Sequence, residues 1–242
     1  LISQWLSFFV SVGLLFFNYS KLRKYLSFNN LWNKEELKRF FNVNRDIFLR
    51  TLFLVLVNLF FVARGTRQGD LILSANTLLM TFYTIFSYIS DGFAYAGEAL
   101  SGRYYGAKNI KVFNEIYTSL FKWGIGLALI FTLLYLVLGL PFLSIITNEE
   151  QVVLAAKDYM IWAAMIPIVG IAAFVYDGIF IGITETRGML ISSFVAACLF
   201  FVVSISTATL LGNHGLWLAM LVFLGVRGLV QGVIMNKKIK RQ

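Results

Sequence analysis

Between Arg187 and Arg227 the chain runs for 39 positions without an aspartate, glutamate, lysine or arginine. A water-soluble fold does not carry such a stretch, because its exposed faces need ionised side chains at regular spacing. A bilayer accepts it: a spanning helix takes about 20 mainly apolar residues, so this run holds two. The same reading of the whole chain finds seven apolar spans, at approximately 1–19, 46–64, 71–101, 113–140, 152–183, 188–211 and 214–236. Continuous runs point to helices, since barrel strands alternate in polarity over segments of about ten residues. Composition agrees, with 59% hydrophobic and 14% charged residues against about 45–50% and 25% in soluble domains. The expected class is therefore all-α, a polytopic membrane protein with about seven transmembrane helices. Cys198 is the single cysteine, which excludes an internal disulfide and a cysteine-rich metal site.

Lysines and arginines orient the spans. Alternate connections hold 15 of them on one side, in segments 20–45, 102–112, 184–187 and the tail, against Arg64 and Arg67 on the other. The positive-inside rule places the fifteen in the cytoplasm and the C-terminus with them. This basic face accounts for the net charge of +9, so no nucleic-acid partner is expected. Residues 20–45 form the one sizeable hydrophilic stretch and read as a cytoplasmic linker. Within it Asn33 and Glu36 have capping-box spacing, with Trp32 and Leu37 placed as the hydrophobic staple. Leu37, Phe40 and Phe41 would face the membrane from a short interfacial helix. The chain opens on Leu1 inside an apolar run, without a preceding basic segment, and reads as part of something longer.

Ionisable residues inside spans are costly and are functional candidates by default. Counted from the nearest cytoplasmic charge, Asn58 lies 13 residues after Arg45, Asp91 12 before Arg103, Asp177 10 before Arg187, and Arg227 10 before Lys237. At 1.5 Å per residue all four come to roughly 15–20 Å from the cytoplasmic edge, near the midplane. Asp177, Asp91 and Arg227 are thus candidates for a proton- or cation-responsive cluster. Asn58, Asn76 and Tyr176 are expected in a polar cavity wall. Arg50 and Glu98 match in depth and are expected to pair on the cytoplasmic side. Pro167, inside the overlong fifth span, is expected to kink it, either as plain packing or as a transport-site device. Arg227 paired with Asp177 or Asp91 would also serve simply to hold the bundle together.

Catalytic constellations are missing, and no enzyme is expected. The single histidine, His214, rules out a His-rich metal site. An intramembrane aspartyl protease needs a second aspartate in a Gly-x-Gly-Asp motif after Tyr176-Asp177, and none follows. A retinal protein needs a lysine in the middle of the last span, which carries Arg227 instead.

Asp91-Gly-Phe-Ala-Tyr-Ala-Gly-Glu-Ala-Leu-Ser-Gly-Arg-Tyr-Tyr-Gly-Ala-Lys-Asn109 resembles the multidrug and toxic compound extrusion (MATE) family. The opening Asp91-Gly-Phe-Ala-Tyr of that run and Asn44-Arg45-Asp46 look like its DinF-like branch, Tyr176-Asp177-Gly-Ile-Phe-Ile-Gly-Ile-Thr-Glu-Thr-Arg187 is a third match, and the resemblance covers the whole chain. It implies twelve helices in two six-helix halves. Residues 1–19 would then be the last helix of the N-terminal lobe, 20–45 the linker, and 46–242 the C-terminal six-helix lobe. The resemblance further implies export of drugs or organic cations in exchange for protons or sodium ions by alternating access. Asp177 matches an acidic position that contributes to cation binding in sodium-coupled relatives. Their acidic residue in the seventh helix has no counterpart around Leu54 to Asn58, which favours proton coupling. The main proton site of this branch would lie in the N-terminal half.

The expected function is therefore that of a proton-coupled, less readily sodium-coupled, antiporter in the plasma (inner) membrane, needing no cofactor beyond its coupling ion. Its partners would be the bilayer, amphipathic or cationic substrates and the N-terminal half. The alternatives are a lipid-linked precursor flippase, whose cavity would need several cations, and a membrane scaffold, which would have no open polar cavity.

Overall fold

The computed structural model describes residues 2–19 and 33–239. Among these there are eight helices and no strand: α1 (Ile2–Asn18), α2 (Lys34–Thr66), α3 (Asp70–Gly106), α4 (Ile110–Ile146), α5 (Glu150–Lys157), α6 (Met160–Gly182), α7 (Thr186–Ser206) and α8 (Asn213–Ile239). Six of them, α2, α3, α4, α6, α7 and α8, are long and apolar enough to cross a membrane. The protein is thus an all-α, multi-pass membrane protein. α1 has 17 residues, about 25 Å of helix at 1.5 Å per residue, somewhat short of a hydrocarbon core of about 30 Å.

By internal contacts the chain divides into two compact units, Leu1–Asn42 and Val43–Gln242. In the first, α1 buries none of its residues. Asn33 caps the start of α2, its side-chain oxygen accepting from the Glu35 N–H at 3.1 Å. Residues 20–32 of the expected linker, including Trp32 of the staple, lie outside the described residues. The expected short surface helix is not a separate element: from Lys34 the helix runs unbroken to Thr66. Between Phe41 and Asp46 the sequence offers neither glycine nor proline to stop it.

In the second unit α6 is the central helix and the most buried of the long ones, packed against α3, α4 and α8 with Ile161, Met165 and Ile168 left exposed on one face, while α7 packs on α8 and α5 on α3. Small residues make this possible. A Cβ at Gly178 would overlap the Ala94 carbonyl, and one at Gly182 would overlap the Glu98 carbonyl. A Cβ at Gly102 would stand 2.9 Å from the Gly182 oxygen. At these glycines the α3–α6 seam brings backbone against backbone, with the small Ser101 side chain also fitted between, its hydroxyl 3.4 Å from Ile179 O.

The fifth apolar span differs from expectation. It is divided at Asp158–Tyr159 into α5 and α6, whereas Pro167 lies buried within an uninterrupted α6. The charged Lys157 and Asp158 mark the division, because α5 is amphipathic and α6 is apolar all round. A second proline, Pro141, lies inside α4, whose helix outlasts the apolar run on both sides.

α3 and α6 end alike. After α3, Asn109 N–H donates to Tyr104 O at 2.9 Å and Lys108 N–H to Tyr105 O at 3.0 Å. After α6, Glu185 N–H donates to Phe180 O at 2.8 Å and Thr184 N–H to Ile181 O at 3.0 Å. Each is a Schellman closure with a left-handed residue, Lys108 at φ 56° and Thr184 at φ 57°. Neither is the glycine such a position favours, and for β-branched Thr184 the conformation is strained.

Candidate functional site

Asp177 stands five residues before the end of α6, and three other side chains converge on its carboxylate. Arg50 of α2 forms an ion pair with Oδ2 through Nη2. Arg227 of α8 reaches the same oxygen at 3.2 Å. Gln231, one helical turn after Arg227, donates from Nε2 to Oδ1 at 2.6 Å. The guanidinium of Arg227 lies 5.5 Å from the ring centre of Phe174 and 5.8 Å from that of Phe223. It is thus held by a carboxylate and by two aromatic rings, a setting that compensates a desolvated cation.

Beside this cluster lies a cavity of about 260 Å³. Tyr83, Ser87, Asp91, Tyr95 and Glu98 of α3 form one wall, and Arg50, Asp177 and Arg227 contribute to the others. Asp91 and Glu98 are half-buried, and neither carboxyl has a hydrogen bond or ion pair among the described residues. Arg50 Nε, Arg227 Nε and Gln231 Oε1 are buried without a hydrogen-bond partner. The cavity therefore presents two guanidiniums against three carboxyls, a formal excess of negative charge. Among the described residues no group of three His, Cys, Asp or Glu is placed to hold a metal ion.

A family pattern, MatE, matches residues 47–206, about two thirds of the chain. The chain belongs to the MatE family. Members of this family are transporters and not enzymes. The chain is also similar to the DNA damage-inducible protein F of Escherichia coli (strain K12), with 38% identity over 200 residues. That match takes in 83% of the chain but 43% of the E. coli protein, so the chain spans under half the length of that relative.

In this MatE chain the three residues expected as a cluster, Asp177, Asp91 and Arg227, do line one cavity. Arg50 and Glu98 line it too, but they are not the pair expected. Arg50 is bonded to Asp177 instead, because α2 presents it to α6 rather than to the Glu98 turn of α3. Asn58 is not in the cavity wall. It lies eight residues beyond Arg50, about 12 Å further along α2, and its amide donates to Leu54 O at 3.2 Å in its own helix. Arg45, from which the depth of Asn58 is counted, is engaged with buried Asp46 at 3.0 Å.

Asn76 is likewise absent from the wall. Its side chain exchanges two 2.8 Å hydrogen bonds with Asn213 and accepts a third from Trp217 Nε1, clasping α3 to the start of α8. Tyr176 faces away from the cavity, its hydroxyl 2.7 Å from that of Tyr117 and its ring against Phe121. Pro167 does not line the cavity either. Adjacent residues on a helix point about 100° apart, and here Tyr176 turns to Tyr117 and Phe121 of α4 while Asp177 turns to the cavity.

Gln231 is a member of the site that the search for ionisable residues does not reach. Its signal was present, a lone amide four residues after the buried arginine in an apolar helix. The motif residues around Asp91–Asn109 also have architectural tasks. Gly102 lets α3 meet α6, and Asn109 caps α4 by accepting from the Val112 N–H at 3.2 Å.

Proposed function

We propose that this chain forms the C-terminal lobe of a two-lobe antiporter. It would export amphipathic or cationic compounds from the cytoplasm in exchange for protons, with sodium as the less favoured coupling ion. The protein would lie in the plasma (inner) membrane, with the basic loops and the C-terminus on the cytoplasmic side. The observation that carries this reading is the polar cavity with its excess of carboxyls, set among helices that are long and apolar enough to cross a membrane. Asp91 and Glu98 have no partner to lose among the described residues, so they take up a proton or a cation at little cost to the fold. A proton and a substrate that prefer different states of the lobe then drive exchange between inward- and outward-facing forms.

The cavity's charge balance supports a cationic cargo over a lipid pyrophosphate, since both guanidiniums are already engaged by Asp177. An open polar cavity also speaks for transport and against a scaffold. The test is Asp91→Asn in the full-length protein, assayed for efflux of a fluorescent organic cation from vesicles under an imposed pH gradient. Efflux should fall by about tenfold, or ~1.4 kcal/mol of barrier, with the melting temperature in detergent little changed. Undiminished pH-driven efflux by the variant would refute the reading. Efflux driven equally well by a sodium gradient at constant pH would refute the choice of proton.

A further inference from the structure

Two guanidiniums share one oxygen of Asp177, and only one is needed for charge balance. They are not equivalent. The side chain of Arg227 is 2% exposed and lies against two aromatic rings, whereas that of Arg50 is 18% exposed and borders the cavity. Like charges brought to one oxygen repel each other, so the more accessible one is the one that leaves. Arg50 also has somewhere to go, because the unpaired carboxyls of Asp91 and Glu98 face the same cavity. Gln231 meanwhile holds Oδ1 from the far side, so the carboxylate keeps its orientation when Oδ2 is released.

We propose that the Arg50 position on Asp177 is a cation site occupied by the protein's own side chain. Arg50 is a tethered competitor, and a planar organic cation of guanidinium or amidinium type gains Asp177 only by displacing it towards Asp91 and Glu98. Arg50 is thereby the residue that sets which cations this lobe admits. A proton needs no displacement, since Asp91 and Glu98 accept it directly. The inference rests on the proposed cation-handling function of the cavity.

The test is equilibrium binding of radiolabelled guanidinium ion, at concentrations far below denaturing, to the full-length protein in detergent. Wild type and Arg50→Lys, which keep the tethered charge, should bind weakly. Arg50→Ala and Arg50→Gln should gain a saturable site of at least about tenfold higher affinity, ~1.4 kcal/mol. Adding Asp177→Asn to Arg50→Ala should abolish that site. Equal binding by wild type and Arg50→Ala would overturn the proposal. So would absence of binding in both uncharged variants when their melting temperatures match wild type. Wild-type efflux under a pH gradient is measured alongside: its absence would remove the antiporter reading, while the guanidinium result stands or falls by itself.

Discussion

A guanidinium buried as deeply as that of Arg227 needs a counter-ion, and Asp177 supplies it at 3.2 Å. Removing one member of a buried ion pair strands the other, at a cost of about 3–5 kcal/mol. Asp177→Asn should therefore destabilise the protein by roughly that amount as well as impair transport. Asp177→Asn combined with Arg227→Gln should recover a large part, because no uncompensated charge is then left between Phe174 and Phe223. Thermal unfolding of the four members of this cycle in detergent measures the coupling. Equal losses in single and double variants would contradict the pairing. The membership of this site was partly legible in the residues. Charges are rare inside apolar spans, so Asp91, Asp177 and Arg227 stand out. Their partners did not, because distance along one helix says nothing about the rotation of its neighbour. That is why depth alone pairs Arg50 with Glu98, whereas the fold bonds it to Asp177.

At the scale of elements, the position of Asp177 depends on how closely α6 approaches α3. Gly178, the next residue, lies against the Ala94 backbone with no room for a methyl group. Gly178→Ala should force the helices apart and cost about 1–3 kcal/mol or more, the usual range for overpacking. Gly126→Ala in α4 meets nothing within 4 Å and should be neutral or stabilising by about 0.5–1 kcal/mol. Unfolding of the two variants side by side separates close approach from helix propensity, and a similar response from both would dismiss the seam. The seven apolar runs were readable because burial in lipid leaves little choice but helix. Their ends and breaks were not. Pro167 was the strongest breaker in the fifth run, but the chain divides at Asp158–Tyr159, where a short amphipathic helix meets a buried apolar one. Helix ends also pass the apolar runs, since backbone hydrogen bonding continues into polar flanks.

For the whole molecule, orientation in the bilayer can be tested through the connections. With exposed Cys198 replaced by serine, a cysteine at Gln68, in the turn before α3, should react with a membrane-impermeant thiol reagent added outside cells. A cysteine at Lys108, in the turn after α3, should react only after permeabilisation. The reverse pattern would invert the assigned topology. The sequence by itself determined that this chain is a helical membrane bundle, because hydration energy sorts long apolar runs into lipid whatever their neighbours. It also determined which rare charges must be satisfied inside. Only the tertiary structure decided how they are satisfied. The rotation of α2 delivers Arg50 to Asp177, a glycine seam sets the distance from α6 to α3, and a helical turn of α8 adds Gln231 to Arg227. Those outcomes follow from packing between segments distant in the chain, where sub-ångström fit of side chains selects one rotation among several that hydrophobicity alone leaves equal.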